Sequence, residues 1–190
     1  MKLRGLGLAG LLGAWLLGGV GPRQAIPYES DFKVAAGDRW LDRVAQAKAE
    51  SGFNPAAQSF IIDRQGRRVP CAYGIMQFTL PTWSWAIQQG WAPAGSTPLD
   101  PVLAIPAGHA YMRWLEARTA GWDPALGAYN AGLGSVRKAE RLAPQLGLTG
   151  LDAWLRALVH VTGEANSKQT RDYIARIHRF RAEYRAQRGE

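Results

Sequence analysis

"AKAESGFNP", residues 47–55, closes an apolar helical pattern on an acid, immediately before a glycine and a proline. A carboxylate is a poor neighbour for that end of a helix, where unpaired carbonyls carry negative partial charge. Gly52 suits the position just past a helix C-terminus, and Pro55 keeps the helix from resuming. Upstream, "DRWLDRVAQAKAES" (38–51) reads as that helix, with Asp38 as N-cap. Trp40, Val44 and Ala47 share one face, with Leu41 and Ala45 beside them. Glu50 stands about 60° around the helix from Ala47, on the border of the buried face. Apolar surroundings and the negative helix end both disfavour its anion, so both raise its pKa. A carboxyl kept protonated near neutral pH is what general-acid cleavage of a glycosidic bond requires. On helix physics alone, Glu50 reads more simply as a solvated surface acid. Glu29-Ser30 repeats the dipeptide with no helix before it.

The 190 residues suffice for one domain with a substantial core, and 47% hydrophobic with 20% charged residues is globular composition. Eight tryptophans are many for this length; the core accounts for most such residues, and a sugar- or peptide-lined groove for the others. Lys2 and Arg4 precede an uncharged run, "GLGLAGLLGAWLLGGVG" (5–21), which is the layout of a secretory signal. Residues 1–25 are therefore expected to be a signal peptide or an N-terminal inner-membrane anchor, and the protein an exported one of the periplasm or cell envelope. Cys71 is the only cysteine, so no intrachain disulfide forms and stability must come from packing. His109, His160 and His178 are scattered without metal-ligand spacing, which sets aside metal and Cys/His catalysis. The net charge of +8 suits an anionic polymer or a wall or membrane surface. Charge alone also admits a nucleic-acid-binding protein.

Residues 26–37 look like a lead-in segment to a domain spanning 38–190. "SFIIDRQGRRV" (59–69) has two β-prone runs around "DRQG" and reads as a hairpin with a charged, exposed tip. Helices follow at 79–90, with Thr79 or Thr82 near the start, and at 98–119, with Asp100 as N-cap and Pro101 at the first position. Pro106 either kinks the latter or marks its true start. Further helical patterns occupy 123–132, 135–142, 151–161 and 168–188. The last places Tyr173, Ile177, Phe180 and Tyr184 on one stripe and most of its arginines on a solvated face. The expected fold is mainly α, six to seven short helices with one small β-hairpin insertion.

"ESGFNP" (50–55) is followed in order by "CAYGIMQF" (71–78), "LDPVLAIPAG" (99–108), "ALGAYNAG" (125–132) and "QTRDYIARI" (169–177). This ordered set resembles the soluble lytic transglycosylase family, bacterial and phage wall-cleaving enzymes with a goose-type-lysozyme-like catalytic domain. The resemblance runs from about residue 38 to 180. It departs from the family pattern in the 59–69 hairpin, in Cys71 where a glycine is usual, and in Gln169 where a glutamate often precedes the threonine.

The resemblance implies a groove for peptidoglycan glycan strands and makes Glu50 the single catalytic acid/base. Ser51 would position it or the substrate acetamido group. Gly74 would leave backbone room near the sugar, Met76 would line the groove, and Gln77 would hydrogen-bond the substrate. Tyr129 would hydrogen-bond or hold Glu50, Asn130 would contact sugar or fix its loop, and Tyr173 would close the far side. It further implies cleavage of the MurNAc-GlcNAc β-1,4 bond to a 1,6-anhydromuramoyl product, with no metal or cofactor, by a monomer. A lysozyme-type muramidase and a non-catalytic peptidoglycan-binding module are the competing readings.

Overall fold

The computed structural model describes residues 25–189, and the apolar run at 5–21 with its expected export or anchoring role lies outside them. The architecture is mainly α with one two-stranded sheet. Helices α1 (Glu29–Ala36) and α2 (Trp40–Ser51) flank a 3-10 turn at Gly37–Arg39. A hairpin of β1 (Gln58–Ile62) and β2 (Arg68–Tyr73) precedes α3 (Leu80–Gln88), α4 (Pro101–Glu116), α5 (Trp122–Ala131) and α6 (Leu133–Leu142). Two short helices, α7 (Ala153–Ala157) and α8 (Val159–Thr162), lead into the long α9 (Glu164–Arg188). No helix among the described residues is long and apolar enough to cross a membrane.

Several boundaries follow from local chemistry. Thr79 caps α3 by accepting from the Thr82 amide, and Asp100 caps α4 by accepting from Val102 N at 2.9 Å. Helix α4 runs on through Pro106, which lies on its exposed side one turn after the exposed Val102. Gly52 ends α2 in the left-handed region (φ 63°), its N–H returning to Lys48 O at 3.1 Å. The N-cap expected at Asp38 is absent, because Gly37–Arg39 turns as 3-10 and α2 begins at Trp40. The single buried helix expected at 151–161 is broken into α7 and α8.

The lead-in segment expected over 26–37 is largely helix α1. Phe32 and Ala36, one turn apart, bury themselves in a core with Trp40, Val44, Ala47, Phe53 and Phe78. A second core, built from α4 to α9 with Ala45 of α2, holds Leu115, Leu126, Trp154, Tyr173 and Ile177, and the half-buried Tyr111 and Phe180 pack against both. Helix α9 packs along α2. Its arginines are not all a solvated face: Arg181 reaches Asp42 of α2 at 2.6 Å, and Arg188 pairs with Glu29 of α1.

The hairpin stands outside both cores. It pairs antiparallel from Gln58↔Tyr73 to Ile62↔Arg68 with a bulge at Ser59/Phe60, and every residue of β1 is exposed. Asp63 closes the tip by accepting from the amides of Gln65 and Arg67.

Candidate active site

Glu50 lies in the last turn of α2 and is half-buried. Helix α9 supplies its partner: Tyr173 Oη donates to Glu50 Oε1 at 2.5 Å. Removal from water pushes the Glu50 carboxyl up to about 7, against the opposing pull of the Tyr173 hydrogen bond and the Arg176 charge. Burial and the neighbouring Glu50 charge hold the Tyr173 phenol well above its ordinary value, so it stays a donor. Glu50 Oε2 takes no hydrogen bond from protein among the described residues.

The segment after β2 is a tight turn. Tyr73 and Phe78 exchange both backbone hydrogen bonds, at 2.9 and 3.0 Å, around Gly74–Gln77. Ser51 ties the acid-bearing helix to this turn, its Oγ donating to Ile75 O at 2.9 Å. That is a positioning contact for the end of α2.

Three residues of the turn behave differently from expectation. Gly74 is buried with φ 78°, and a Cβ there would lie 1.9 Å from the Pro98 carbonyl oxygen. The missing side chain therefore makes room for the 97–99 loop rather than for a sugar. Met76 is wholly buried and packs on Gly108, so its side chain fills the core and does not line a groove. Gln77 adopts φ 50°, and its carboxamide is occupied by protein. Its Nε2 donates to Gly74 O at 2.8 Å and Ala57 O at 3.3 Å, and its Oε1 accepts from Ser59 Oγ at 2.6 Å. Gln77 thereby stitches the hairpin base to the turn.

Helix α5 contributes the third side. Tyr129 Oη donates to Met76 O at 2.6 Å, not to Glu50, so it fixes the turn opposite the acid. Exposed Asn130 accepts from Thr170 Oγ1 at 2.9 Å, which locks the α5 terminus onto α9. Beyond Tyr129 the rings continue outward through Tyr111, at 5.3 Å between centroids, to Trp85 and Trp114. Trp85, Tyr111 and Trp114, with Pro81, Thr82 and Leu133, line an open pocket of about 360 Å³. No group of three or more His, Cys, Asp or Glu side chains is placed to hold a metal among the described residues.

Two site residues escaped the sequence reading. Arg43 and Gln46 are 1% and 0% exposed and lie two turns and one turn behind Glu50 on α2. Arg43 Nη1 donates to Gln46 Oε1 at 2.7 Å, and Gln46 Nε2 donates to Tyr173 Oη at 3.3 Å. Spacings of three and four residues between positions 43, 46 and 50 put all three on adjacent parts of one helical face, a readable signal.

Residues 43–147 match the family model described as the transglycosylase SLT domain. A membrane-bound lytic murein transglycosylase F from Shewanella halifaxensis is 36% identical over 135 residues, covering 67% of this chain and 25% of that one. The same protein from Shewanella pealeana matches at 36% over 135 residues. The chain thus spans about a quarter of the length of these relatives. Among solved structures, the 70 kDa soluble lytic transglycosylase of Escherichia coli superposes with a TM-score of 0.65 at 25% identity, over 85% of this chain and 24% of that one. A complex of the 70 kDa soluble lytic transglycosylase with bulgecin A gives 0.68 at 25% identity, over 87% and 25%. An inactive glutamate-to-glutamine variant of Slt from Pseudomonas aeruginosa shares the fold, with a TM-score of 0.62 at 23% identity over 84% and 24%. With its matched segment reaching from the acid-bearing helix through the Gly74 turn to α6, the chain belongs to the transglycosylase SLT domain family.

Proposed function

We propose that this chain is a peptidoglycan lytic transglycosylase of the cell envelope, cleaving the MurNAc-GlcNAc β-1,4 bond with Glu50 as its one acid/base. The observation that carries the reading is a half-buried carboxyl with a pKa of about 7, held by Tyr173, with no carboxylate among the described residues acting on it. Glycosidases that use water or an enzyme nucleophile need a second carboxyl to activate or supply it. One carboxyl suffices when the nucleophile belongs to the substrate. The neutral Glu50 carboxyl gives its proton to the glycosidic oxygen as the C1–O bond breaks, with the acetamido oxygen assisting at C1 through an oxazolinium intermediate. The muramoyl C6 oxygen then bonds to C1, and its proton passes to the Glu50 carboxylate, which restores the acid without consuming water. An internal hydroxyl has a high effective concentration, so it outcompetes bulk water.

Ser51 and Tyr129 serve this chemistry through the protein, by holding the end of α2 and the Gly74–Gln77 turn in place. Exposed Asn130 and the open aromatic pocket beyond Tyr111 are surfaces available to the glycan. Export through the N-terminal apolar run, cleaved or retained as an anchor, would bring the domain to its substrate. The test is mass spectrometry of purified wall digested by the protein. Fragments ending in 1,6-anhydromuramic acid are expected; reducing ends would make the enzyme a muramidase, and no cleavage would leave a binding module.

A further inference from the structure

Three hydrogen bonds beneath Glu50 run in one direction. Arg43 donates to Gln46 at 2.7 Å, Gln46 to Tyr173 at 3.3 Å, and Tyr173 to Glu50 at 2.5 Å. The first three members are buried, so water has little access to any of the links.

The direction is dictated by which atoms can donate. A guanidinium carries five N–H donors and no acceptor. Gln46 must therefore turn its oxygen towards Arg43, which leaves its NH2 facing the Tyr173 oxygen. That oxygen accepts from Gln46 and has one proton of its own, which goes to Glu50. A carboxamide free to turn over would present its oxygen to Tyr173 and draw the phenolic proton away from Glu50. Arg43 forbids the flip, since it would bring donor against donor in a dry interior. Arg43 is itself pinned, its guanidinium 4.4 Å from the Trp122 ring centre and 3.6 Å from Glu116.

We propose that Arg43 and Gln46 are positioning residues that fix the direction of the Tyr173 hydroxyl proton, which commits Glu50 Oε1 to Tyr173 and leaves Oε2 as the oxygen that exchanges the working proton. The last clause rests on the acid/base reading of Glu50; the hydrogen-bond direction does not. A donor held on Oε1 favours the carboxylate and so tempers the effect of burial. The other groups facing this path are Arg176 from α9 and Tyr129 from α5 at the Glu50 end. At the Arg43 end they are Glu116 from α4, Asp42 from the start of α2 and Arg39 from the 3-10 turn before it, with His109 of α4 kept neutral by burial at a pKa of about 4.

The experiment is NMR titration of the Glu50 side-chain carboxyl carbon in the full chain. Q46M keeps the unbranched shape of glutamine and removes its donor. It is expected to raise the Glu50 pKa by about 0.5–1 unit. In a Y173F background, the same change is expected to have no effect, because its route to Glu50 is gone. No shift in Q46M, or an equal shift with and without the Tyr173 hydroxyl, overturns the proposal. If Q46M does not fold, the unmutated chain decides. Slowly exchanging Gln46 side-chain amide protons with cross-peaks to the Tyr173 ring are expected, and their absence overturns it. Wall digestion in parallel keeps the two ideas apart: no anhydro product from the unmutated chain removes the proposed function while the carboxyl titration still tests the relay.

Discussion

The Tyr173 hydroxyl sits 2.5 Å from Glu50 Oε1 and joins positions 123 residues apart in the chain. Helix α9 packs along α2 and so delivers a permanent donor to an acid that its own helix end and its burial both disfavour as an anion. The result is a carboxyl poised near neutrality, with one oxygen held and the other without a hydrogen-bond partner among the described residues.

Replacing Glu50 by Gln keeps the acceptor for Tyr173 and removes the acid. Release of anhydromuropeptides by E50Q is expected to fall by at least about 100-fold. Undiminished lysis of purified wall would remove Glu50 from the mechanism.

The same variant has a signature in stability. Glu50 titrates near 7 in the folded chain against an ordinary value of 4.5, so across that interval the native state binds more protons than the unfolded one. Stability contributed by this group therefore falls as pH rises from about 4.5 to 7 and levels off above. E50Q is expected to exceed the unmutated chain by about 1–3 kcal/mol at pH 8 and to match it near pH 4. Urea unfolding at the two pH values checks this, and a pH-independent difference contradicts it.

Gly74 has no room to change. A Cβ would stand 1.9 Å from Pro98 O, on a backbone with φ 78° that side chains disfavour. G74A is expected to cost about 3 kcal/mol or more in chemical denaturation. A loss below about 1 kcal/mol would show that the 97–99 loop yields easily.

The two tyrosines should separate cleanly. Y129F leaves the buried Met76 carbonyl without its 2.6 Å donor, for an expected loss of about 1–2 kcal/mol in stability and little change in the Glu50 titration. Y173F is expected to raise the Glu50 pKa. Equal effects of both variants on that titration would contradict the hydrogen-bond assignment.

Phe32 tests whether the start of the described chain belongs to the fold. It is wholly buried in the first core, so F32A is expected to destabilise by about 3–5 kcal/mol in thermal or urea unfolding. A change under about 1 kcal/mol would return α1 to the status of a loose lead-in.

What could be read from the sequence was what is local. Thr79, Asp100 and Gly52 act at their own helix ends, and Glu50 was conspicuous because a helix end makes an acid conspicuous. The hairpin was legible from its turn residues. Arg43 and Gln46 were missed because polar residues on an amphipathic helix are ordinarily solvated; only a partner 127 residues from Gln46 makes them interior. The motif assigns Met76 and Gln77 to the groove because it carries both, but packing decides which atoms face inward. At Met76 the carbonyl is used and the side chain is core, and at Gln77 the carboxamide is taken up by its own turn. Helix α1 was hidden by its composition, with Phe32 and Ala36 its only buried residues.

The docking of α9 also has a consequence in time. Residue 50 leaves the ribosome 123 positions ahead of residue 173, an interval of roughly ten seconds at ordinary rates of synthesis. Throughout it, the nascent chain carries the acid on a helix with no hydroxyl to hold it. The segment that matches the family model, 43–147, ends before α9 begins and so emerges in the same unfinished state. A domain proposed to cut the wall is thereby kept incomplete until α9 has been made.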